Sequence, residues 1–174
     1  MFLNKVKDTV LPVMDIRSFA RGVMGRYGSS KAYRVLKTDE EKQAFKDRIV
    51  TFSEVFENSV VRTYSKGLMT FNGETINVIP MTDEQKAAAS QSGRATIVQH
   101  IVREGDEPYV LEYSFGRTKS GKWLARNILV DGINLGRVYQ SQFSQAVKDN
   151  DNSVDAAIAN WAVTLEDEVA PEAK

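Results

Sequence analysis

The sequence predicts an α+β fold, with helices from both ends of the chain packed on one twisted antiparallel sheet of about four strands. Three observations carry that prediction. Phe45, Ile49, Phe52, Phe56, Val60, Tyr64, Leu68 and Phe71 recur at intervals of three and four, which is the spacing of one helix face. From Glu74 to Val130 the pattern changes to alternation, in segments joined by turn-forming stretches. An Asp131-Gly132 corner then leads through an apolar hook (Ile133, Leu135) into a helix carrying Tyr139 and Phe143. Helices, then strands, then helices is segregation and not βα alternation.

Taken in order, the opening segment places Phe2, Val6 and Val10 at helical spacing, and Pro12 stops it. Asp15 is positioned to cap a helix whose inner face is Ile16, Phe19, Val23 and Tyr27, ended by Gly25, Gly28 and Ser29-Ser30. A short helical piece spans 32–36. Thr38 and Glu41 form a capping box, and Asp39, Glu40 and Glu41 put negative charge where the helix dipole favours it. The helix that follows is about thirty residues, roughly 45 Å at 1.5 Å per residue. Its aromatic-rich stripe suits a core, and part of it also suits the wall of a cavity.

Asn72-Gly73 breaks the helical period. Glu74 to Pro80 alternates and reads as a strand ending at its proline. Residues 82–93 look like an exposed loop or helical turn with no apolar stripe. Strands follow over 94–103, 109–118 and 123–130, connected by EGDEP and TKSGK turns. In the middle one Tyr109, Leu111, Tyr113 and Phe115 share a face, against Val110, Glu112 and Ser114 on the other. In the last, Trp123, Ala125, Asn127 and Leu129 alternate with Leu124, Arg126, Ile128 and Val130. Two helices close the chain, one with Val138, Tyr139, Phe143 and Val147, the next capped at Ser153 with Val154, Ile158, Trp161 and Leu165. The chain thus divides into a helical part (1–71), a meander (72–131), C-terminal helices (132–165) and an acidic tail (166–174), within one domain of 174 residues.

Composition removes several function classes. Lys plus Arg is 23 and Asp plus Glu is 23, a net charge of zero, and no Lys/Arg-rich run stands out, so nucleic acid is not an expected partner. With no cysteine, thiol catalysis, disulfides and cysteine metal sites are excluded. No apolar run approaches the roughly 20 residues that span a bilayer. Lys5, Lys7 and Asp8 interrupt the first residues, which therefore lack a signal-peptide core. Composition does not choose between a cytosolic chain and an exported one whose signal is removed.

No catalytic constellation is visible. His100 is the single histidine, on a strand without Ser or Asp at triad spacing, and reads as structural. One histidine with scattered carboxylates makes no metal site, and GRYGSS lacks the context of a phosphate loop. An enzyme on a curved-sheet pocket would need an acid–base pair in an apolar site. Tyr113 is available for that role, but Glu112 points to the opposite face and Asp131 lies at the corner. What remains is an apolar interior with few convergent polar groups, suited to an apolar ligand.

The residues resemble one family. LPVMDIRSFARGVMGRY, FSEVFENSVVRTYSKGLMTFNGETINVIP and KWLARNILVDGINLGRVYQSQF, followed by 152–161, are similar in this order to the periplasmic phospholipid-binding proteins of the Mla pathway (the MlaC, or toluene-tolerance, family). The most specific runs are Leu11-Pro12…Asp15…Gly25-Arg26-Tyr27 and Asp131-Gly132…Leu135…Tyr139…Gln142-Phe143. Departures occur at Gly28, where the family often has tryptophan, at Gly136, where it has a branched apolar residue, and at Val138-Tyr139-Gln140, where it favours Asn-Tyr-Arg. Residues 82–93 are also longer than the family pattern suggests.

The resemblance implies an NTF2-like fold and a periplasmic carrier, not an enzyme, with no cofactor and with bound phospholipid as ligand. The implied partners are the inner-membrane Mla ABC transporter complex and the outer-membrane Mla lipoprotein–porin complex, with only transient membrane contact. Carrying lipid between them keeps phospholipid out of the outer leaflet. The expected pocket wall is Phe52, Phe56, Val60, Tyr64, Leu68, Ile97, Leu111, Tyr113, Phe115, Ala125, Leu129, Ile133, Leu135, Tyr139, Phe143 and Val147. A cavity at or above the upper end of the usual ~300–1,000 Å³ is expected, with loose polar contacts at its mouth and low head-group specificity. A charge at Leu129 or Phe115 is expected to lower lipid occupancy. The rival readings are a small-molecule enzyme on a similar pocket, and an adaptor domain whose apolar stripe is all core.

Overall fold

The computed structural model describes residues 2–69, 71–103, 105 and 107–164, with the side chains of 2, 67, 68 and 162–164 outside that description. Helix α1 (Phe2–Val10) ends in a 3₁₀ turn at Leu11–Val13, where Pro12 cannot extend the helix. Helix α2 (Ile16–Met24) is capped by Asp15, whose carboxylate accepts from the Ser18 N–H at 3.1 Å. A 3₁₀ turn over Gly25–Gly28 and the short α3 (Ser30–Arg34) follow.

Helix α4 (Asp39–Met69) is a single helix of 31 residues. The capping box forms: Glu41 N–H donates to Thr38 Oγ1 at 3.1 Å, and Glu41 Oε2 accepts from the N–H groups of Lys37 and Thr38 at 2.7 and 3.1 Å. Those two backbone donors hold the Glu41 carboxyl below its usual range.

The sheet is an antiparallel meander of five strands in sequence order: β1 (Thr75–Ile79), β2 (Arg94–Val102), β3 (Tyr109–Arg117), β4 (Trp123–Val130) and β5 (Ile133–Asn134). The fifth strand, beyond the four expected, is the apolar hook itself. Its two residues double back on Leu129 and Val130 because Asp131 (φ 46°) and Gly132 (φ 79°) both adopt left-handed conformations. Asp131 fixes the corner by accepting the Val110 N–H on its side chain and donating its own N–H to the Val110 carbonyl, each at 2.8 Å.

Residues 82–93 form a full helix, α5 (Asp83–Ser92), between β1 and β2. It lacks an apolar stripe because Ala89 is its one buried residue, so its local ends carry the signal. Thr82 and Gln85 make a reciprocal capping box, and Gly93 (φ 67°) closes the C-terminus. Helices α6 (Leu135–Asp149) and α7 (Val154–Thr164) follow the corner, α6 capped by Asn134 and α7 by Ser153. Leu165 and the tail 166–174 lie outside the described residues.

The packed core lies among the helices and is aromatic. Phe52, Phe56, Phe143 and Trp161 are fully buried. The Phe52 ring sits 4.6 Å from Phe143 and 5.5 Å from Trp161, centroid to centroid, and Phe56 stands edge-on to Phe19 at 5.0 Å and Tyr139 at 5.8 Å. Such pairs contribute about 0.5–1.5 kcal/mol each beyond the area they bury. Helix α4 supplies its aromatic members Phe45, Phe52 and Phe56 to this core, and Val61 extends it one turn further.

One seam between helices and sheet runs along β4. Met14 bridges to Ala125, and Asp15 N–H donates to the Ala125 carbonyl at 2.8 Å. The Asp15 carboxylate accepts from Arg126 Nε at 3.0 Å. Burial pushes this carboxyl up, but the Ser18 and Arg126 hydrogen bonds outweigh it and hold Asp15 below its usual range.

Candidate functional site

Strand pairing sorts the sheet residues into two faces, since residues directly opposite in an antiparallel ladder project to the same side. Tyr113 lies opposite Ile97 on β2 and Ile128 on β4. Leu111 lies opposite Gln99 and Val130, and Phe115 opposite Ala95 and Ala125. With Ile101 opposite Ile76, and Gln99 opposite Val78, this face is apolar across four strands apart from Gln99 and, at its end, Arg117 opposite Trp123. It is also the face toward the helices, because Phe115, Ile128 and Leu135 pack on the helical core.

The opposite face mixes Val98, Val110 and Leu129 with His100, Glu112, Ser114 and Asn127. Leu129 stands there, opposite Glu112, and so does not share a face with Tyr113. Uninterrupted alternation joins Ala125 to Leu129. The real register slips at Ser114/Phe115, leaving Arg126 as an extra residue in β4, and the bulge reverses the facing of everything beyond it. Ile128 and Val130 therefore join Tyr113 in place of Leu129. The available signal was Gly116: a Cβ there would meet the Arg126 guanidinium at 2.3 Å, so the glycine makes room for the bulged side chain.

Of the sixteen residues expected at the wall, Leu129 is half-buried on the opposite face, and fourteen others separate into three groups. Phe52, Phe56, Tyr139, Phe143 and Val147 are buried in the aromatic core, and Ala125 is buried at its edge. Ile97, Leu111, Tyr113, Phe115, Val60 and Leu135 are half-buried, the sheet members among them all on the helix-facing side. Tyr64 and Ile133 are exposed, at 40% and 58%. The Leu68 side chain lies outside the described residues.

Val60, Phe115 and Leu135 of the half-buried group pack against the core, while Ile97, Leu111 and Tyr113 leave a shallow apolar cleft on the sheet. Its floor is the helix-facing side of β2–β4, and Tyr64 on the second half of α4 stands close enough to Tyr113 to act on its charge. Burial, with a further push from Tyr64, drives the Tyr113 phenol up to about 12, so it stays neutral. Burial likewise raises Tyr139. Beyond Tyr113 the floor continues into Ile76 and Val78 on β1, which are about half exposed (50% and 56%). Residues missed from the sequence are thus Ile128, Val130, Ile101, Ile76 and Val78, all placed by register.

Among the described residues no group of three or more His, Cys, Asp or Glu side chains gathers to hold a metal. His100 and Glu112 are on the other side of the sheet. Two grooves at the surface, of about 460 and 320 Å³, are mixed in polarity and lie elsewhere, along α2 and α6. In one, the Asn127 amide fills the space at Gly136, accepting its N–H at 3.0 Å. In both, Gln140 lies against Gly25 and donates to the Gly22 carbonyl at 3.0 Å. The residues that depart from the family pattern at 136 and 140 thus shape these grooves. No helix among the described residues is long and apolar enough to cross a membrane.

The MlaC protein family matches residues 2–163. The toluene tolerance protein ttg2D of Pseudomonas putida is 28% identical over 161 residues, covering 92% of this chain, and the chain spans 66% of that relative's length. The solved structure of a phospholipid-binding protein from Ralstonia solanacearum, in complex with a phospholipid, superposes with a TM-score of 0.63 at 21% identity, over 94% of this chain and 84% of that one. At that identity the likeness establishes a shared fold.

Proposed function

This chain belongs to the MlaC family, and from that premise we propose that it binds phospholipid by its acyl chains in the cleft between α4 and the sheet and carries it across the periplasm. The observation that supports this most is the apolar, helix-facing side of the sheet around Ile97, Leu111 and Tyr113, left half-buried by the protein's own packing. A contiguous exposed apolar surface is costly unless something apolar occupies it.

The energetics suit a tail-binding carrier. Exposing a hydrocarbon chain to water costs on the order of 0.8 kcal/mol per CH₂, so a chain of about sixteen carbons costs roughly 12 kcal/mol. That barrier makes unassisted crossing of an aqueous compartment slow. A cleft that covers tails and leaves the charged head in water avoids burying a phosphate, which would need dedicated partners. The phospholipid in the Ralstonia relative supports the ligand class. In the same reading the chain acts as one domain and exchanges lipid with the inner-membrane ABC transporter complex and the outer-membrane lipoprotein–porin complex of the pathway. It is a carrier and not an enzyme, with low head-group selectivity because the recognition is made on tails.

The test is native mass spectrometry of gently purified protein, with organic extraction and lipid typing. Phospholipid of mixed head groups at stoichiometric occupancy is the expected result. Protein that emerges lipid-free and takes up none from vesicles overturns the binding reading. A single head-group class regardless of the host's lipids overturns the tail-only account of selectivity.

A further inference from the structure

Between Ile16 and Thr38 the chain carries Arg17, Arg21, Arg26, Lys31, Arg34 and Lys37 at intervals of three to five, with no carboxylate among them. The chain as a whole is neutral, so this is a local surplus. All six are exposed, and none makes an ion pair among the described residues. Several cations elsewhere are matched: Lys7 with Glu57, Arg48 with Asp155, Lys86 with Asp83, Arg103 with Glu74 and Arg126 with Asp15.

One of the six, Arg21, lines a groove. Arg21, Gly22, Gly25, Ser30 and Gln140 line the 460 Å³ hollow, and Gly22 and Gln140 continue into the 320 Å³ one, where Arg126 and Arg137 lie. Arg21 is anchored: its Nε donates to the Gly28 carbonyl at 2.7 Å and its Nη2 to Ser30 Oγ at 3.1 Å. Two of its five donors thus orient the guanidinium, and the others remain for a ligand. A guanidinium held in place loses less freedom on pairing with a carboxylate than a free lysine does.

We propose that this basic groove along α2 and α6, centred on Arg21, docks an acidic segment of a protein partner. The recessed, glycine-walled shape favours an extended chain bearing carboxylates over a bilayer, whose head-group plane meets only protruding cations. The two grooves share no lining residue with the cleft around Ile97, Leu111 and Tyr113, so a partner seated here does not cover its floor. The inference deepens the carrier reading by naming a surface for its protein contacts, yet peptide binding and lipid occupancy are read separately, and either can fail alone.

The experiment titrates the ¹⁵N-labelled full chain with a hexaglutamate peptide by NMR, alongside sedimentation with phosphatidylglycerol vesicles. Expected are shifts concentrated at Gly22, Gly25, Gly28 and the Gln140 side-chain amide, and affinity that falls about tenfold between roughly 50 and 300 mM salt. Arg21→Gln weakens binding about fivefold or more and Arg21→Glu with Arg137→Glu abolishes it, while Lys86→Glu and Lys119→Glu leave it intact. Arg17→Gln with Arg34→Gln, which disturb no internal hydrogen bond, weaken it as well and keep the test open if Arg21 variants misfold. Shifts spread evenly over the chain's lysines overturn the proposal. So does vesicle binding through these arginines without peptide binding, which would make the face a membrane contact.

Discussion

Placing a carboxylate on each face of the sheet in turn tests the register that defines the cleft. Leu111 and Leu129 are both half-buried on adjacent strands, but Leu111 shares its face with Tyr113 and Leu129 with Glu112. The neighbouring phenol supplies the magnitude. Tyr113 is pushed from 10.0 up to about 12. At about 1.4 kcal/mol per pH unit, discounted for the part of the ring that water still reaches, a negative charge there costs roughly 2 kcal/mol. An acyl chain laid over it removes further water, so Leu111→Glu should weaken lipid binding by about thirtyfold or more, given about 1.4 kcal/mol per tenfold. Leu129→Glu should cost a comparable loss of packing and leave lipid affinity within about threefold. Occupancy is read by native mass spectrometry after equilibration with vesicles, with circular dichroism confirming that each variant is folded. A folded Leu111→Glu that stays loaded, while Leu129→Glu empties, would refute the face assignment and the bulge argument with it.

Three further outcomes follow from the packing. Phe52→Ala should destabilise the protein by about 3–5 kcal/mol, as for a ring at the centre of a close-packed core; a small loss in chemical denaturation would mean that this part of α4 lines a ligand space instead. Gly136→Ala should cost about 1–3 kcal/mol because the new methyl meets Asn127 Oδ1 at 2.6 Å, and Asn127→Ala should recover part of it; strict additivity of the two changes would show that they do not touch. Asp15 is lowered on folding, so its stabilisation is complete above the ordinary carboxylate range and fades as pH falls below about 4. The Tm gap between wild type and Asp15→Asn, which keeps an acceptor for the Ser18 N–H but loses the charge facing Arg126, should therefore narrow in acid, and a gap that widens would contradict the sign.

Much of this was legible from residue order. The three-and-four spacing from Phe45 onward encodes a helix whatever it packs on, and the alternation over 109–117 encodes a strand with Tyr113 and Phe115 on one side. The Asp131-Gly132 corner, the Thr38–Glu41 box and the Asp15 cap are local chemistry, complete within a few residues. The α5 helix was equally local at its ends, in Thr82, Gln85 and Gly93, but a search for apolar periodicity passes over a helix that buries a single alanine.

What sequence alone determined, then, is the class of fold, the order of its elements and the family. These follow from periods and short motifs that short stretches of chain contain in full. Tertiary structure decided which apolar residues are core and which are cleft. A period states that Phe52 and Tyr64 lie on one stripe, but not that helices α6 and α7 enclose the first while the second overhangs the sheet beside Tyr113. It also decided the face of Leu129, because side-chain facing alternates with a period of two and one bulged residue, Arg126, reverses it. That reversal depends on a pairing across β3 and β4, a property of two strands together and of neither alone.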